Sequence, residues 1–168
     1  NLERLIYRIA GAAANKCAEL MQALSAGGEY TITEEMKAQL GDFYGNFCTE
    51  EETAATIAGV FKNSHYVIDT HTAVASSVYK KYKKETGDQA KTVVVSTASP
   101  YKFPRSICSA LGIDVKNSSD FQVLNILNSY TKIPIPENLR NLDSKPILHK
   151  AVCKKEDIKK ELLSFLYE

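Results

Sequence analysis

Two short loops hold most of the residue types able to do chemistry. Asp69-Thr70-His71-Thr72-Ala73 gathers a carboxylate, an imidazole and two hydroxyls, and Ser96-Thr97-Ala98-Ser99-Pro100-Tyr101-Lys102-Phe103 adds further hydroxyls and an ammonium. Each follows an apolar run that reads as a β-strand, Tyr66-Val67-Ile68 and Lys91 to Ser96 (KTVVVS), and the first opens a helix. In parallel α/β sheets, ligands lie beyond the carboxyl ends of the strands, where loops and helix N-termini present hydroxyls and free N–H groups. The two loops therefore predict one polar rim that suits a ligand. The same residues also have plainer uses: Asp69 or Thr70 as a helix cap, His71 bonded to nearby backbone, Ser99-Pro100 as a turn. Spacing alone leaves both readings open.

Other reactive types are placed less suggestively. His65 and His149 lack ligands at metal spacing, and the cysteines at 17, 48, 108 and 153 form no C-x-x-C, so no metal site is expected. Cys108 falls inside a helical pattern with Ile107 and Leu111 and reads as core, not as a thiolate nucleophile. Lys80, Lys81, Lys83 and Lys84 sit on the wet face and last turn of a helix whose buried stripe is Val74, Val78 and Tyr82. They are a solvated helix end, and nucleic acid is not expected as a partner.

The elements that must position the loops follow from periodicity. Apolar residues at three and four residue steps from Leu2 to Leu24 predict one long helix, stopped at Gly27-Gly28. Thr33 caps a second helix, Glu34 to Phe43. Thr49 with Glu52 makes a capping box for a third, whose face is Ala54, Ile57, Ala58 and Phe61. A fourth covers Thr72 to Glu85, between the two strand-like runs, so a right-handed βαβ unit is expected. Pro104 opens a helix to Leu111 that Gly112 ends, and Phe121, Leu124, Leu127 and Tyr130 mark another. Ile133 to Pro136 is a stiff loop, Ile147 to Cys153 a last strand, and Ile158, Leu162, Phe165 and Leu166 face one side of a final helix. The fold class expected is α/β: helix-rich, with a small parallel sheet and flanking helices, in a single unit over residues 1–168.

Composition agrees with a packed unit. The chain has 168 residues, 44% hydrophobic and 24% charged, with 21 Lys+Arg against 20 Asp+Glu. A chain of this size buries about 68–70% of its unfolded surface, and a net charge near zero steers no polyanion. No apolar run nears the ~20 residues of a membrane span, so no membrane partner is expected, and the four scattered cysteines fit the reduced thiols of a cytoplasmic protein.

Three stretches resemble one family. Asn1-Leu2-Glu3-Arg4-Leu5 is similar to S-S-N-[FL]-E-R-L, Asp69-Thr70-His71-Thr72-Ala73-Val74 to D-P-H-T-A, and Ser96-Thr97-Ala98-Ser99-Pro100-Tyr101-Lys102-Phe103 to [GS]-T-A-H-P-x-K-F of threonine synthases. Order and spacing both match. Thr70 stands where the family has Pro, which also suits a helix start, and Ser99 where many relatives have His, so the role of that His does not carry over.

The resemblance implies a type II pyridoxal-phosphate fold and a lyase of threonine biosynthesis, which turns O-phosphohomoserine and water into threonine and phosphate. It begins in the family's second half. The chain opens at Asn1 without Met, and the cofactor lysine and phosphate loop would lie upstream. A phosphate cradle needs a Gly-rich turn between strand and helix, whereas Gly27-Gly28 follows a helix. The expectation is a C-terminal fragment with no catalytic residue of its own, inactive alone, whose partner is the missing N-terminal part. In type II enzymes a Ser or Thr hydroxyl meets the pyridine nitrogen, which by resemblance points to Thr97 or its neighbour Ser96. Lys102 could face an anionic group, and Asp69, His71 and Thr72 shape or brace the site floor. The alternative is a non-catalytic α/β interaction module whose rim loops only cap helices.

Overall fold

The computed structural model describes residues 1–148 and 150–167. Its regular structure is helical: α1 (Leu2–Ile9), α2 (Ala14–Gly27), α3 (Glu34–Ala38), α4 (Glu50–Ser64), α5 (Thr70–Thr86), α6 (Pro104–Ala110), α7 (Asp120–Thr131) and α8 (Ile158–Tyr167), with three short 3-10 turns. Among the described residues there is no strand, so the expected parallel sheet and its βαβ unit are absent. A strand exists only through the ladder a neighbour completes, and neither run finds one. Val67 and Ile68 are buried in the helical core as part of the α4–α5 connection, while Tyr66 is exposed. In the KTVVV run, Val93 and Val95 are 85% and 70% exposed. The described part of Ile147 to Cys153 is likewise without strand; His149 lies outside the described residues.

The first stripe is broken as well. Gly11 and Ala12 both take positive φ, 67° and 62°, which turns the chain between α1 and α2. The two helices then pack on each other, with Ile6, Ile9, Cys17, Leu20 and Met36 in a small core. Gly28, at φ 78° in the left-handed region, closes α2 by donating its amide to the Leu24 carbonyl at 2.9 Å.

The capping signals are met. The Thr33 hydroxyl accepts the Met36 amide at 3.3 Å, although α3 ends at Ala38, short of Phe43. At α4, the Glu52 amide donates to Thr49 Oγ1 at 3.2 Å and the Thr49 amide to Glu52 Oε2 at 2.9 Å. Pro104 starts α6, and Ser119 with Gln122 makes a second capping box, at α7.

The main core lies among α4, α5, α6 and α7, where Ile57, Ile107, Val123 and Leu127 are nearly sealed from solvent. Cys108 is fully buried with them, as expected of core, and burial pushes its thiol up despite the opposing charge of Arg105. The face that α5 buries is Thr72, Ala73 and Ser77, not the expected Val74, Val78 and Tyr82, of which Val74 is exposed. In the lysine run, Lys81 donates to Glu52 at 2.8 Å and to the Phe47 carbonyl at 2.9 Å, tying α5 to the start of α4. In α8 the apolar residues Ile158, Leu162, Phe165 and Leu166 are exposed.

Candidate functional site

α5 begins at the first of the two loops, and its cap is the centre of the site. Asp69 is 1% exposed, and its Oδ1 accepts the His71 amide at 2.9 Å and the Thr72 amide at 3.4 Å. These are orphan donors that every helix start must satisfy. The Thr72 hydroxyl donates to Oδ2 of the same carboxylate. Burial raises the Asp69 carboxyl, but the bonds from the Thr72 hydroxyl, the two amides and the His71 ring together outweigh it and hold the group below its ordinary value. Asp69 is thus a buried, bonded carboxylate.

His71 lies at the rim. Its Nδ1 is 3.3 Å from Asp69 Oδ1 and 3.5 Å from Thr70 Oγ1, and its ring stacks at a tilt on Phe103, with centroids 5.6 Å apart. More than half of its side chain remains exposed.

The second loop meets this cap through one residue. Ser96 Oγ lies 3.0 Å from Thr72 Oγ1 and 3.5 Å from Asp69 Oδ2. Ser96 and its neighbour Thr97 are both exposed. Further on, Ser99 accepts the Tyr101 amide at 3.2 Å and so caps the 3-10 turn Pro100–Lys102. The Tyr101 ring is buried beneath that turn, and its hydroxyl donates to the Ile133 carbonyl at 2.6 Å. Burial, more than any other influence, raises the Tyr101 phenol. Lys102 stays exposed, with Nζ 5.5 Å from the Phe103 ring centroid.

Of the residues expected at the rim, the structure therefore joins Asp69, His71, Thr72 and Ser96 in one network, leaves Thr97 open beside it, and relates Lys102 to it only through Phe103. Sequence reasoning missed a further set. Cys48, Glu50 and Thr53 at the start of α4 share a surface recess with Thr70, His71 and Phe103. The capping box at Thr49 was the available signal, because it fixes where α4 starts and hence which residues stand beside α5. Among the described residues no group of three or more His, Cys, Asp or Glu could hold a metal.

Known proteins share this arrangement of sequence. The family model described as threonine synthase, C-terminal, matches residues 72–161, more than half of the chain. Human threonine synthase-like 1 is 31% identical over 135 residues, covering 80% of this chain and 18% of that protein. The threonine synthase of Pseudomonas aeruginosa is 27% identical over 108 residues, 64% of this chain and 23% of that one. Among solved structures, the pyridoxal-phosphate-bound threonine synthase from Brucella melitensis superposes with a TM-score of 0.51 at 27% identity, covering 79% of this chain and 31% of that chain. The resemblance read in the motifs is thus confirmed, and the chain belongs to the threonine synthase C-terminal family. The cofactor expected for the complete enzyme is the one bound in the Brucella structure. The chain spans about a fifth of the length of these curated relatives. No described helix is long and apolar enough to cross a membrane.

Proposed function

We propose that this chain, as a single unit, is the C-terminal part of a threonine synthase: a cytoplasmic lyase that converts O-phosphohomoserine and water to threonine and phosphate, inactive without the part that precedes it. The observation that supports this most is the open Thr97 hydroxyl beside a carboxylate-braced loop, in the stretch that carries the family motif.

The residues present suit one side of pyridoxal phosphate only. A hydroxyl donor is available for the pyridine nitrogen at Thr97, with Ser96 the neighbouring candidate. Among the described residues no Gly-rich turn joins a strand to a helix as a phosphate cradle would, and Gly28 closes α2. When bound, the cofactor supplies the electron sink that lets the bonds around the substrate's carbon atoms break. Thr97 would donate a neutral hydrogen bond that holds the ring without giving up its proton. Asp69 and Thr72 brace the loop from below, His71 with Phe103 shapes its rim, and exposed Lys102 can offer a point charge to an anionic group.

Exposed apolar residues support the need for a further part. Val93 and Val95, together with Leu162 and Phe165 of α8, are more exposed than a self-contained unit of this size favours. The preceding part of the enzyme is the natural cover.

The test is kinetic, in the complete enzyme. Thr97→Val keeps shape and branching but removes the hydroxyl, leaving the ring nitrogen without a donor, at a cost of about 1–3 kcal/mol or roughly ten- to a hundredfold in turnover. Unchanged turnover and cofactor affinity in Thr97→Val, with both damaged in Ser96→Ala, would move the contact to Ser96. No effect of either would remove this loop from the cofactor site.

A further inference from the structure

Ser96 and Thr97 are neighbours of similar chemistry, yet the structure treats them differently. A hydroxyl carries one proton and two lone pairs. The Thr72 hydroxyl gives its proton to Asp69 Oδ2, since a carboxylate is the stronger acceptor. Ser96 Oγ lies 3.0 Å from the same Thr72 oxygen, on the accepting side of that contact, and the Ser96 hydroxyl donates its own proton to Asp69 Oδ2 at 3.5 Å. The Ser96 proton is therefore directed inward, to Asp69. It is not free to donate to anything bound on the outer side.

The link matters because little else holds this stretch. Val93 and Val95 are exposed and no ladder forms there, so apolar burial gives residues 91–97 small support. Tyr101 anchors the chain from the other end through its buried ring and its bond to the Ile133 carbonyl. Between these, the hydroxyl chain Ser96–Thr72–Asp69 joins positions 24 and 27 residues apart. The carboxylate at its base is fixed independently, by the His71 and Thr72 amides, so the cap of α5 survives without the chain.

We infer that Thr72 and Ser96 are positioning residues: they latch residues 91–97 to the cap of α5, committing the Ser96 hydroxyl to the protein and leaving the Thr97 hydroxyl as the ligand-facing donor. The second clause rests on the proposed function; the latch itself does not.

Backbone nitrogen-15 relaxation on this chain, with no cofactor added, tests the latch separately from the enzymology. In the unaltered chain the amides of Ser96 and Thr97 should show order parameters of about 0.85, those of a rigid backbone, falling to about 0.6 or below in Ser96→Ala and in Thr72→Val. Thr72→Ser, which keeps the hydroxyl, should restore order, a rescue that mere filling of the Thr72 site would not produce. The double variant should be no looser than either single one, because both cut the same link. Thr97→Val should leave the order at Ser96 unchanged, and the α5 amides should stay rigid throughout. Order at Ser96 and Thr97 that is insensitive to Ser96→Ala, or already low in the unaltered chain, overturns the latch. A latch that holds while Thr97→Val leaves turnover intact in the complete enzyme overturns the cofactor reading alone.

Discussion

Replacing Asp69 should cost more than an ordinary helix cap. Its carboxylate is 1% exposed and takes two amides, the Thr72 hydroxyl and, at 3.5 Å, the Ser96 hydroxyl. Loss of an N-cap costs about 0.5–2 kcal/mol. A buried hydroxyl left without its acceptor adds about 1–3 kcal/mol, here toward the low end because Ser96 can take the proton that Thr72 then offers. Asp69→Ala should therefore destabilise by about 2–3 kcal/mol, and Asp69→Asn, which keeps one capping oxygen, by about 1 kcal/mol. The pH dependence separates charge from shape. Because the folded carboxyl lies below its ordinary value of 3.8, its stabilisation is complete above that value and is lost as pH falls through the folded value. Glu35, Glu52 and Asp88 are lowered too and add acid loss of the same sign, so the difference between unaltered and Asn chains isolates Asp69. Urea unfolding followed by circular dichroism, from neutrality to below 3.8, should show the two curves converging toward acid. Parallel curves, or an Ala variant within about 0.5 kcal/mol of the unaltered chain, would refute the reasoning.

Two further substitutions probe the scaffold. Leu127, 1% exposed in the α4–α7 core, should cost about 2–5 kcal/mol as Leu127→Ala in the same urea experiment, whereas the exposed Leu162→Ala should change little. Gly112 follows α6 at φ 72° with no atom within 4 Å of an added Cβ, so Gly112→Ala should cost only the left-handed strain, about 1–2 kcal/mol, without altering the fold seen by circular dichroism.

The local signals in the sequence proved sound where the physics is local. Thr49 with Glu52, Pro104, Gly28 and Asp69 each act within a few residues of themselves, and each sits where its type and spacing place it. The strands failed for the opposite reason. KTVVV has the composition of a buried strand, but a strand also needs a neighbour to complete its ladder, and no run of residues carries that information in itself. The break at Gly11-Ala12 was hidden because alanine is the best helix former and a single glycine is tolerated in a helix. Within the site, the cap at Asp69 could be read from the loop, whereas its link to Ser96, 27 residues away, could not. The recess residues Cys48, Glu50 and Thr53 are likewise brought in by the packing of α4 on α5.

The central claim is that the chain holds one side of the cofactor and needs a preceding part for chemistry. Mixing the purified chain with pyridoxal phosphate and O-phosphohomoserine, while recording the visible spectrum and assaying threonine, tests it most directly. The account predicts no stoichiometric cofactor adduct and no threonine. A borohydride-trappable adduct on one lysine of this chain, accompanied by threonine formation, would contradict it.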